Sequence, residues 1–61
     1  MIEINKNEVE MPNLNERRFQ KECRNSKWFV KDIIDNSVRY KGNFENVSIA
    51  CHNLNKNYYQ N

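Results

Sequence analysis

The chain has one glycine, one proline, one histidine and two cysteines among its 61 residues. Each scarcity excludes something. A lone glycine, Gly42, leaves no Gly-rich loop to cradle phosphates. Cys23, Cys51 and His52 are three residues where structural zinc takes four Cys or His ligands, so no metal is expected. Cys51 and His52 are neighbours, but on a helix adjacent residues point about 100° apart and do not converge on one site. A Cys–His nucleophile also needs an orienting group and a water-excluding pocket, for which so short a chain has little room. Asp32 and Asp35 would share a face only on a helix, and a solvated pair is the simpler reading. No catalytic residue and no cofactor is expected; the protein reads as a non-enzyme.

Long apolar runs are missing too. The longest is Trp28-Phe29-Val30, against the roughly 20 residues that a membrane span requires. Residues 1–6 lack the apolar core of a signal peptide. The reading is cytoplasmic, with no membrane partner. In a reducing compartment the two cysteines are expected as free thiols, a Cys23–Cys51 bridge being the alternative. Asn46-Val47-Ser48 then matches the glycosylation pattern by chance.

What is abundant is asparagine, at twelve residues, alongside six lysines and five isoleucines. That usage is what an AT-rich genome writes, as in a low-GC bacterium or a phage of one. Asparagine favours caps and turns over helix interiors. With 38% hydrophobic and 30% charged residues, the core is lean. Below about 70–80 residues a lone core seldom supplies more than a few kcal/mol. Homo-oligomerisation or folding against a partner would offset that.

The net charge of +2 is unevenly spread. Residues 1–12 sum to -2, 13–31 to +4, 32–46 to -1 and 47–61 to +1. Ile2/Ile4 and Val9/Met11 alternate, which predicts a short strand or extended arm before Pro12. Asn13 with Glu16 resembles a capping box, and a basic helix is predicted over 14–25. On it Arg17, Lys21 and Arg24 would share one face, with Arg18 beside them. Residues 27–41 admit two readings, a helix through Phe29, Val30, Ile33 and Ile34 or a hairpin turning at Asp35-Asn36. The hairpin is the slightly better fit, with Gly42 ending it. Phe44, Val47, Cys51, Leu54 and Tyr58 step by 3, 4, 3 and 4, an amphipathic helix that Asn43 can cap. Trp28, Phe29 and Phe44 are expected in the core. Tyr59 falls off the apolar stripe and is expected outside.

The stretch "FENVSIACHNLNKNYY" resembles the first helix and turn of small helix-turn-helix modules over about a quarter of the chain. The resemblance implies a turn and a second helix, and the base-reading helix has no counterpart here.

The fold expected is a small single α+β domain: extended arm, basic helix, extended or hairpin segment and C-terminal amphipathic helix. Three helices with a short β element is the alternative. The function expected is a phage-type accessory protein that binds and inhibits or modulates a larger host protein, such as one that handles nucleic acid. Its contacts would be Arg17, Arg18, Lys21, Arg24, Tyr40 and Tyr59, since Tyr and Arg are the usual interface anchors. The alternative is a small nucleic-acid-binding transcriptional regulator, dimeric, using the same basic residues on phosphates.

Overall fold

A computed structural model describes residues 11–60 of the protein. The arm expected over residues 2–11 lies outside that range but for Met11. A single 3-10 turn at Leu14–Glu16 leads into β1 (Phe19–Arg24), β2 (Lys27–Asp32), β3 (Ser37–Gly42) and α1 (Phe44–Gln60). The three strands form one antiparallel sheet in the order β1-β2-β3. The architecture is a small α+β domain, one helix laid on one face of a three-stranded sheet.

The turns arise from local chemistry. Arg24 pairs with Lys27, leaving Asn25 and Ser26 as a two-residue loop. Both have positive φ, 54° and 65°, as a type I′ hairpin turn requires. Asp32 pairs with Ser37, so Ile33 to Asn36 make the second connection. There Asn36 adopts φ 62°, and its N–H donates to the Asp32 carbonyl at 2.7 Å. The hairpin reading of this segment stands, and Gly42 is its last residue. Asn43 caps the helix as expected, its Oδ1 accepting from the Asn46 N–H at 2.8 Å.

The basic helix expected over 14–25 is instead one 3-10 turn followed by a strand. Asn13 makes no side-chain cap there. Arg, Gln, Lys and Glu are good helix formers, but the apolar residues in this stretch are too few to bury a helical face. As a strand, the same segment satisfies its backbone against β2 and turns Phe19 onto α1. Tertiary pairing outweighs a weak local preference. The helix-turn-helix resemblance is corrected as well: α1 runs unbroken from Phe44 to Gln60 with no internal turn.

The core is Phe19, Val30, Val47 and Cys51, with Trp28, Ala50 and Leu54 packed against it. Strand side chains alternate between faces. Phe19, Val30 and the Trp28 ring, which meets Phe44 edge-on at 4.8 Å, therefore mark the helix-covered face. Phe29, expected in the core, falls on the opposite face and is half-buried. Phe44 packs on Trp28 yet stays exposed.

Val38 and Tyr40 would ordinarily share a face. A bulge breaks the register, so Val30 opposes Tyr40 while Lys31 opposes Val38. Arg39 is the extra residue, and the insertion reverses the parity of the rest of β3. Tyr40 and Arg39 turn to the helix side and Val38 to the open side.

Candidate functional site

Two constellations of charge lie at opposite ends of the sheet. The first is built around Asp32, a carboxylate with 0% of its surface exposed. Arg18 Nε donates to both Asp32 oxygens at 3.0 and 3.1 Å, and Arg18 Nη2 donates to Oδ2 at 2.8 Å. Arg39 Nη2 donates to Oδ2 at 2.9 Å, which its bulged position allows. The Ile34 N–H donates to Oδ1 at 3.0 Å. Hydrogen bonding from Arg18 chiefly holds the Asp32 carboxyl far below the ordinary carboxylate range, against the opposing effect of burial. The Asp32 hydrogen bond likewise raises Arg18 above its ordinary value. A buried ion is tolerated only when its lone pairs are met like this. The Arg18 guanidinium also lies over the Tyr58 ring at 4.8 Å. This cluster is saturated with internal partners.

The second constellation covers the open face of the sheet near the β1–β2 hairpin. The pleat places Gln20, Glu22 and Arg24 of β1 there, with Lys27, Phe29 and Lys31 of β2 and Val38 and Lys41 of β3. Lys31 and Glu22 are 3.5 Å apart, as same-face neighbours. Arg24, Lys27, Phe29, Val38 and Lys41 line one depression of about 470 Å³. Among the described residues no salt bridge engages Arg24, Lys27 or Lys41. Among the described residues the face thus offers four cations, Lys31 of them paired with Glu22, around an apolar centre of Phe29 and Val38.

The six contact residues expected from sequence do not converge. Arg24 alone sits on the open face. Lys21 points to the helix side, its Nζ 3.3 Å from Ser48 Oγ and 5.1 Å from the Phe44 ring centre. Arg17 donates from Nε to the Pro12 carbonyl at 2.9 Å, and with Lys21 and His52 it lines a groove between β1 and α1. Arg17, Lys21 and Arg24 do not share a face, because the helix that would have aligned them is a strand. Arg18 is engaged with Asp32. Tyr40 stands on the helix side above Gly42, where its ring would lie 3.2 Å from an added Cβ. Tyr59, expected outside, is half-buried and accepts the Arg18 N–H on its hydroxyl at 3.0 Å. Sequence reasoning missed Phe29, Lys31, Val38 and Lys41 as a group. The signal was period-two spacing of Lys27, Phe29 and Lys31, legible only once the segment is known to be a strand.

Cys51 and His52 diverge. Cys51 is buried, its Sγ–H donating to the Phe19 carbonyl at 3.3 Å, and burial pushes the thiol up from its ordinary value. A protonated, buried thiol is a poor nucleophile. His52 is exposed. Both cysteines are free thiols, Cys23 exposed. Among the described residues no three His, Cys, Asp or Glu side chains gather to hold a metal. Among them, too, no helix is long and apolar enough to cross a membrane.

Asn55 is a further buried polar group, 2% exposed on the core side of α1. Its Oδ1 accepts the Phe19 N–H at 3.0 Å and its Nδ2 donates to the Phe19 carbonyl at 2.9 Å. The amide thus serves Phe19 as a neighbouring strand would, on the outer edge of β1. Comparison with protein-family models, with curated proteins and with solved structures finds no match to this chain.

Proposed function

We propose that the protein is a small non-enzymatic binding protein whose ligand is duplex nucleic acid, held against the open face of the sheet. The observation that carries this is the set of exposed cations, Arg24, Lys27 and Lys41, which have no carboxylate partner among the described residues and surround Phe29 and Val38. Arginine and lysine on one face supply the phosphate-directed part of binding. Three strands at about 4.8 Å spacing are roughly 10 Å across, which matches a major groove about 12 Å wide. Sheets are an established means of reading grooves. Two free thiols suit a cytoplasmic setting.

The test is fluorescence anisotropy with a labelled 20-bp duplex between 50 and 200 mM salt. Three phosphate contacts, by Arg24, Lys27 and Lys41, predict a slope of log K against log salt of about -2.7, at about -0.9 per contact. Charge reversal at Lys27 and Lys41 together should abolish binding. Affinity that does not fall with salt would refute the reading.

A protein partner is the second reading, that of an accessory protein that inhibits or modulates a larger host protein. Ile33 and Ile34, 41% and 64% exposed in the β2–β3 connection, favour it, since adjacent exposed isoleucines are interface material. A stoichiometric partner captured from a nuclease-treated lysate of a low-GC bacterium, and lost on Ile34→Asp, would support it.

A further inference from the structure

The β1–β2 hairpin turns on two residues, Asn25 and Ser26, both in the left-handed region with φ of 54° and 65°. Asparagine is at home there, but serine is not, and the second position of such a turn is where glycine is ordinarily found. A serine side chain at φ 65° is therefore held against the backbone's own preference. Strain of this kind concentrates where a side chain is used. Ser26 also lines the same depression as Arg24, Lys27, Phe29 and Lys41. It sits close to two cations in sequence, and it is exposed. A hydroxyl so placed can donate to an oxygen that Arg24 or Lys27 has drawn in by charge.

We infer that Ser26 is a phosphate-contact residue of the open sheet face, its hydroxyl donating to a phosphate oxygen of bound duplex between Arg24 and Lys27. The inference rests on the nucleic-acid reading and adds a specific role for the hairpin tip. An uncharged donor contributes to affinity but not to counterion release. Its removal should weaken binding without changing the salt slope, whereas loss of a lysine should lower the slope by about one.

Two variants separate the hydroxyl from the backbone. Ser26→Gly removes the hydroxyl and relieves the turn; Ser26→Ala removes the hydroxyl and keeps the Cβ. Anisotropy with the labelled 20-bp duplex should show both weakened about tenfold, with the wild-type salt slope. Thermal unfolding should show Ser26→Gly raised by about 5 °C. A variant more stable than the wild type yet weaker in binding is the signature expected. If either variant binds within twofold of the wild type, the role given to Ser26 is wrong while the sheet-face reading stands. If the wild type itself shows no salt-dependent binding, both fail together.

Discussion

The two ends of the sheet treat arginine and lysine in opposite ways. At the Asp32 end, Arg18 and Arg39 converge on one buried carboxylate and are consumed by the fold. At the hairpin end, Arg24, Lys27 and Lys41 are exposed and, among the described residues, meet no carboxylate. The sequence offers cationic side chains at both. What differs is whether an acidic residue falls on the same face within reach. A cluster of cations in sequence is therefore not a binding patch until its internal partners are subtracted.

The contrast is broken most severely at Asp32. Asp32→Asn leaves two arginines beside an uncharged amide and removes an acceptor of the Arg18 fork. The variant should be largely unfolded at 25 °C by circular dichroism; a cooperative transition within a few degrees of the wild type would show that the network does not hold this end together. The same group sets an acid limit. Its carboxyl is depressed in the folded state below the ordinary 3.8, so the unfolded chain takes up the proton more readily. The resulting stabilisation is present above about pH 4 and is lost as the pH falls toward the depressed value. Melting temperature should be level from pH 7 to about 5 and fall steeply below 4.

Asn55→Ala comes next. It strands the Phe19 N–H on the β1 edge and leaves the Phe19 carbonyl only the weaker Cys51 thiol as donor, and leaving a buried group unmet costs about 1–3 kcal/mol. Urea unfolding should read that loss, with Asn55→Asp worse than Ala because a carboxylate cannot donate to the carbonyl. At the hairpin end the sign of the comparison reverses. Lys27→Ala and Lys41→Ala should each leave the melting temperature within about 2 °C, as exposed substitutions do, while reducing the salt slope of duplex binding by about one. The smallest effect is expected at Cys23, exposed and free. Cys23→Ser should leave urea unfolding within about 0.5 kcal/mol of the wild type.

Much of the fold is legible in the order of residues. The apolar stripe of α1, the Asn43 cap, the hairpin and the α+β class all rest on interactions within a few residues. The site is less so. Arg24 belongs to it, but a helical reading supplies the wrong companions, and the helical spacing of Arg17, Lys21 and Arg24 is a coincidence of period. Asn55 leaves a faint trace: it is a polar residue four positions after Cys51, on the stripe that packs against the sheet. Tyr59 lies off that stripe, which points it outward, and only the arrival of the Arg18 N–H gives its hydroxyl a partner.

Residue types at short spacing were enough to place the C-terminal helix and its Asn43 cap, and they favoured the β2–β3 hairpin only slightly over a helix. Long-range packing was needed for the rest: that 19–24 is a strand, that a bulge at Arg39 separates Val38 from Tyr40, and that Arg18 is neutralised while Lys41 is not. Those outcomes depend on which residues face each other across strands, and a strand shows its partner nothing until the register is set.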